Sequence, residues 1–185
     1  MNTLFGFVIL AGVIQSISGD TCTGCAGTYT LDKSAASTKA AQCTALRKYA
    51  ECLMGSKGTG CSTSDSTSIN TQFSATGDIT KDAATANCVL DSICTTCQVN
   101  FQKKIQARSA STRDTQKCVE DFEYVNCVDT KPSSQTACDG TTSQFRMFNV
   151  ALSVARLDCV YAGTSAVKSS VVIMAAALFV SYLKF

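Results

Sequence analysis

Cys43-Thr-Ala-Leu-Arg-Lys-Tyr-Ala-Glu-Cys52 and Cys118-Val-Glu-Asp-Phe-Glu-Tyr-Val-Asn-Cys127 have equal length, begin and end in cysteine, and place a tyrosine six positions after the first cysteine. Each lies in the middle of a set of six cysteines. The first set, Cys22, Cys25, Cys43, Cys52, Cys61 and Cys88, reads C-x2-C-x17-C-x8-C-x8-C-x26-C; the second, Cys94, Cys97, Cys118, Cys127, Cys138 and Cys159, reads C-x2-C-x20-C-x8-C-x10-C-x20-C. Order is kept, and the gaps change only where loops can absorb them. Cys22-Thr-Gly-Cys25 matches Cys94-Thr-Thr-Cys97, and Thr71-Gln-Phe73 matches Ser143-Gln-Phe145, so the chain reads as two copies of one unit with a period of 72 residues.

Each copy reads as helical. In the first, Ser34 or Ser37 is a candidate N-cap for a helix through Gln42 to Met54, and Gly55 supplies a left-handed stop. In the second, Ser111-Thr-Arg-Asp114 has the form of a capping box ahead of a helix through Cys118, Phe122, Val125 and Cys127. From Lys81 no helix breaker occurs for more than twenty residues, and Ile93, Cys97, Phe101 and Ile105 recur every fourth position. The third helix of copy one is therefore expected to run on into the first helix of copy two. In the last helix, Phe145, Phe148, Leu152, Ala155 and Cys159 form the expected core stripe. The expected fold class is all-α and disulfide-rich: two tandem copies of a six-cysteine, roughly three-helix unit.

Helix geometry restricts the disulfides. Residues nine apart on a helix lie about 180° and about 13.5 Å from each other, so neither Cys43 and Cys52 nor Cys118 and Cys127 can bond directly. The middle helix must be clamped from two sides. Three bonds within each copy are expected, with fifteen pairings per copy open. A copy of about 70 residues buries a small core, and this sequence is rich in Ala, Ser and Thr; at about 2–4 kcal/mol per disulfide, the bonds offset much of that deficit.

The two ends carry apolar runs. Leu4 to Ile14 followed by Gln15-Ser-Ile-Ser-Gly19 has the form of a cleavable signal peptide. Val171 to Leu183 is an uncharged run preceded by the polar spacer Thr164 to Ser170 and the small residues Ala162 and Gly163. That is the pattern of a glycosylphosphatidylinositol (GPI) attachment signal, with the lipid on Gly163, or on Ala162 or Ser165. The alternative is a type I membrane span starting near Ala166, although a 13-residue helical run reaches only about 20 Å against a hydrocarbon core of about 30 Å. The expected organisation is residues 1–19 signal peptide, 20–90 first repeat, 91–163 second repeat and 164–185 removed with the lipid transfer.

Fourteen of the sixteen Lys and Arg and all fourteen Asp and Glu fall within residues 20–163, so no basic surplus points to nucleic acid. Lys103, Lys104, Arg108, Arg113 and Lys117, followed by Glu120, Asp121 and Glu123, read as a solvated face. The chain has no histidine, which removes the usual general base, the Ser-His and Cys-His pairs and the common zinc sites. No catalytic, cofactor-binding or metal-ligating residue is assigned, and an enzyme is not expected. The C-x2-C pairs read as structural bridges, since no strand-helix-strand pattern of a thioredoxin kind surrounds them. The Ser- and Thr-rich loop 62–80 is a candidate contact or O-glycosylation segment, or a variable polar linker.

The cysteine pattern differs from saposin-like domains, in which Cys61 has no counterpart, and from plant-type lipid-transfer proteins, which use adjacent Cys-Cys and C-x-C elements. The terminal signals and the cysteine count resemble the broad class of small GPI-anchored, cysteine-rich cell-surface proteins. The resemblance implies the extracellular face of the plasma membrane, a GPI lipid as the membrane contact, an extracellular protein partner, and a rigid recognition or coat module. The apolar last helix suggests the other role, a small-molecule or lipid carrier with a cavity lined by Phe145, Phe148 and Leu152.

Overall fold

Thr21 starts the first helix, α1 (Cys22–Ala35), by accepting a hydrogen bond from the Gly24 N–H at 3.0 Å through its hydroxyl oxygen. Thr38 does the same for α2 (Lys39–Gly55), accepting from the Ala41 N–H at 3.1 Å. Each hydroxyl satisfies one of the amides that a helix leaves unpaired at its first turn. These features belong to a computed structural model in which residues 21–159 are described. The chain continues through α3 (Ile69–Gln72), α4 (Asp78–Ala86), a π-helical turn (Ile93–Gln98) that leads into α5 (Val99–Ala107), α6 (Asp114–Asp129) and α7, residues 144–159. The fold is all-α and disulfide-rich and divides roughly into two halves.

In the first half α1 packs on α2 and α4 closes the pair. The core is Cys22, Cys25, Tyr29, Ala45, Leu46, Tyr49, Ala50, Leu53 and Ile79. In the second half Ile93, Cys97, Tyr124, Val125, Val128, Met147, Ala151 and Ala155 form a separate core, with Phe101, Phe148 and Leu152 packed against it. The halves interlock, because Cys94 and Cys138 lie in the core of the first half. Gln102 Nε2 also donates to the Ser56 carbonyl at 3.4 Å, and α3 packs against α5.

All six disulfides lie within a half and follow one order. Cys22–Cys61, Cys25–Cys52 and Cys43–Cys88 join the first cysteine to the fifth, the second to the fourth and the third to the sixth. Cys94–Cys138, Cys97–Cys127 and Cys118–Cys159 repeat that order. The middle helix of each half is thus clamped from both sides, since cysteines nine apart face opposite ways.

Several local expectations are corrected. The third helix of copy one does not continue into copy two: α4 stops at Asn87, whose φ of 57° and ψ of 45° are left-handed, and the Cys88 N–H closes back on the Ala83 carbonyl at 2.8 Å. Asn is the residue other than Gly that enters this region most readily, so it ends a helix without a sequence breaker. Thr38, not Ser34 or Ser37, caps α2, and Gly55 is its last helical residue, followed by the extended Ser56. No capping box forms at Ser111; α6 begins at Asp114 behind Arg113, without a side-chain cap. Phe145 is 72% exposed, and the inward face of α7 is instead Met147, Ala151 and Ala155, spaced four apart.

Loop 62–80 is folded and not a free linker. Asp65 Oδ2 accepts from the Ser62 N–H, Thr67 donates to the Gly60 carbonyl, and Gln72 Nε2 donates to the Ser66 carbonyl at 2.8 Å. Ser68 and Ile69 are wholly buried. At Gly77, which separates α3 from α4, an added Cβ would lie 2.2 Å from the Thr71 carbonyl oxygen and 2.3 Å from that of Gln72.

Candidate functional site

The largest of the described cavities, about 660 Å³, opens between the halves. The chain just after α2 forms one wall through Lys57, Gly58, Cys61 and Ser62; Ile105, Gln106 and Arg108 at the end of α5, with Asp158 of α7, form the other. Gln106 ties the walls together by donating from Nε2 to Cys22 Sγ at 3.8 Å, while its Oε1 is buried without a partner.

Arg108 organises the far wall. Its Nε donates to Glu120 Oε2 at 2.9 Å, Nη2 to Asp121 Oδ1 at 2.7 Å and to the Lys117 carbonyl at 3.3 Å, and Nη1 to Asp158 Oδ2 at 3.3 Å. The guanidinium also stands 5.9 Å from the centre of the Phe101 ring. Burial opposes its charge, but the bonds to Glu120 and Asp121 outweigh that and make the guanidinium harder to deprotonate. Burial also works against ionised Glu120, yet the bonds from Arg108 and Gln116 hold its carboxyl below the usual range. Asp121 behaves the other way. It is wholly buried, its Oδ2 has no hydrogen-bond partner, and burial together with the neighbouring Asp158 carboxylate raises its pKa despite Arg108.

The first half provides an internal comparison. Counting 72 residues between second cysteines and 75 between third cysteines matches Arg108, Glu120 and Asp121 to Ala36, Ala45 and Leu46. Leu46 and Asp121 occupy the same place in the middle helix, and both are fully buried. One half fills it with a hydrocarbon and the other with a carboxyl group.

Other matched features agree. Tyr29 stacks on Tyr49 with ring centres 4.6 Å apart, and Phe101 stacks on Tyr124 at 4.3 Å; both partners are matched pairs. A cation also stands over each stack, from unmatched positions, and joins a carboxylate: Lys33 to Asp82 at 2.6 Å, Arg108 to Asp158. A groove of about 360 Å³ in the first half, and one of about 410 Å³ lined by Phe101 and Tyr124 in the second, are bordered by ion pairs at matched positions with the signs exchanged: Lys48 with Asp32, and Lys104 with Glu123.

No family model, curated protein or solved structure matches this chain. The site therefore has to be read from its own chemistry. All twelve cysteines are bonded. Gly163, the expected lipid-bearing residue, lies outside the described residues, as do the two terminal apolar runs. Among the described residues no helix is long and apolar enough to cross a membrane, and no group of His, Cys, Asp and Glu is placed to hold a metal. Phe148 and Leu152 pack on the second core while Phe145 faces out, so these three do not line a common cavity.

The expected solvated face is corrected in part. Lys104 and Lys117 pair at the surface with Glu123 and Asp114, but Arg108, Glu120 and Asp121 turn inward. Charge alone gives no sign of this. The signal lies in the repeat, which sets Asp121 on a core leucine once the two copies are aligned from their third cysteines.

Proposed function

We propose that the chain is an extracellular surface protein, carried to the membrane by a signal peptide over residues 1–19 and held by a GPI lipid on Gly163. Its folded part is two tandem copies of a six-cysteine, roughly three-helix unit, residues 20–90 and 91–163, acting as a rigid recognition module. The observation that carries this reading is the disulfide order, first to fifth, second to fourth and third to sixth, found in both halves. Duplication is further supported by helix limits at matched positions: α1 and α5 end at Ala35 and Ala107, and α2 and α6 begin at Lys39 and Asp114.

Disulfides persist in oxidising compartments, and twelve bonded cysteines suit a protein exposed outside the cell. Residues 160–163 can extend at most about 14 Å, which would keep the body beside the lipid surface. The cleft bordered by Lys57, Ser62, Gln106, Arg108 and Asp158 is the concave surface offered to a partner.

Phosphatidylinositol-specific phospholipase C treatment of cells expressing the full chain, followed by intact mass without reduction, tests the anchor. The expected result is release of a species of mass near residues 20–163 plus the glycan remnant and less twelve hydrogens. Retention on the cell with Val171 to Leu183 still present would overturn it.

A further inference from the structure

We propose that Asp121 is a proton-operated latch between α6 and α7: protonated, it rests beside Asp158 on the shared Arg108, and loss of that proton sets two carboxylates against each other and loosens this end of the second half. The inference stands on the folded body and does not depend on the anchor.

The geometry has three parts. Asp121 occupies the position of Leu46 and is wholly buried, so its ionised form is not demanded by the scaffold that the first half builds with a leucine. Its Oδ1 accepts from Arg108, and its Oδ2 is the buried oxygen left without a donor. One guanidinium serves three carboxylates; the contacts to Asp121 at 2.7 Å and Glu120 at 2.9 Å are close, whereas that to Asp158 is 3.3 Å. Two carboxylates held by one guanidinium, one of them wholly buried, are costly to ionise together. A proton on Asp121 removes the unpaired buried charge at its Oδ2. The raised pKa of Asp121, caused by burial and then by Asp158, agrees with this.

The groups facing the pair come from every element around it. The end of α5 contributes Arg108, with Lys104 acting on Glu120. From α6 come Glu120 and Lys117, the latter giving its carbonyl to Arg108 and its ammonium to Asp114. Lys57 borders the cleft opposite Asp158. None of these supplies a donor to Asp121 Oδ2. The adjoining Cys118–Cys159 bond ties α6 to α7 at this end, so the latch modulates a junction that stays covalently joined.

The test is amide hydrogen exchange of the folded, fully disulfide-bonded protein at pH 5 and pH 7.5, expressed as protection factors so that intrinsic rates cancel. Residues 152–158 of α7 are expected to be more protected at the lower pH, the direction set by the raised Asp121 pKa. Residues 81–86 of the first half are expected to be unchanged. Asp121→Asn places a permanent N–H donor beside Asp158 and is expected to give equal protection at both pH values; Asp158→Asn serves if that variant misfolds. Carboxyl-carbon NMR of the unmodified protein gives a second reading. A wild-type response equal to that of Asp121→Asn, or an Asp121 titration at or below the ordinary aspartate value, would overturn the proposal.

Discussion

Exchanging the matched core residues separates scaffold from addition. Leu46→Asp removes a side chain that is 1% exposed, a loss of about 1.5–3 kcal/mol of apolar burial. It also introduces a carboxylate where the position matched to Arg108 is Ala36, and an uncompensated buried charge costs about 3–5 kcal/mol. The sum, about 4.5–8 kcal/mol, is comparable with the whole stability of many domains. Asp121→Leu is the reverse change, and Arg108 retains Glu120 and Asp158 as counter-charges. Removing one partner is costly when it leaves a buried charge uncompensated, and here two carboxylates remain on Arg108, so this variant is expected within about 1 kcal/mol of wild type or above it. Urea denaturation with the disulfides intact measures both. A loss of about 3 kcal/mol or more in Asp121→Leu would refute the reasoning, because it would make the carboxyl part of the scaffold.

Reversing Lys104–Glu123 to Lys104→Asp with Glu123→Lys copies the Asp32–Lys48 arrangement of the first half; urea midpoints should show each single change costing no more than about 1 kcal/mol and the double change restoring most of it. Gly77→Ala forces a Cβ against the Thr71 and Gln72 carbonyls and is expected to cost about 1–3 kcal/mol by thermal unfolding. Removing the Cys118–Cys159 bond by paired Ala substitution opens a link across 41 residues and should cost about 4 kcal/mol by the loop-entropy relation, read from the same melts. Burial pushes Tyr49 up to about 12 and raises Tyr29 and Tyr124 further, with Asp82 adding to Tyr29. Since these folded-state values exceed the unfolded value near 10, their contribution to stability is complete below about pH 10 and lost as pH rises toward 12. Phenolate absorbance should show three tyrosines of the folded body resisting ionisation at pH 11, together with declining stability.

The helical class and the twofold cysteine pattern are legible in residue spacing; helix geometry forbids bonds between cysteines nine apart, and the shared order of the two series suggests, without requiring, bonds confined to each half. Which cysteines pair did not follow, since the fifteen pairings per copy differ in tertiary placement and not in spacing. Asn87 ended α4 where no Gly or Pro stood, and the long apolar stripe suggested continuity; a left-handed asparagine has no periodic signature. Phe145 belongs by spacing to the stripe of α7, yet the inward face is set by the small residues Ala151 and Ala155, which let that helix approach the second core. The buried charges were hidden by their neighbours: Glu120 and Asp121 stand beside the exposed Glu123, and only the match to Ala45 and Leu46 marks them as core positions. The aromatic stacks were half visible, through Tyr49 and Tyr124, while Tyr29 and Phe101, each four residues after a second cysteine, completed them.

Mass spectrometric mapping of the disulfides in the folded protein, digested without reduction or thiol exchange, tests the duplicated module most directly. The account predicts six cross-linked fragments joining Cys22 to Cys61, Cys25 to Cys52, Cys43 to Cys88, Cys94 to Cys138, Cys97 to Cys127 and Cys118 to Cys159. A bond between a cysteine of the first six and one of the last six, or a different order in the two halves, would contradict it.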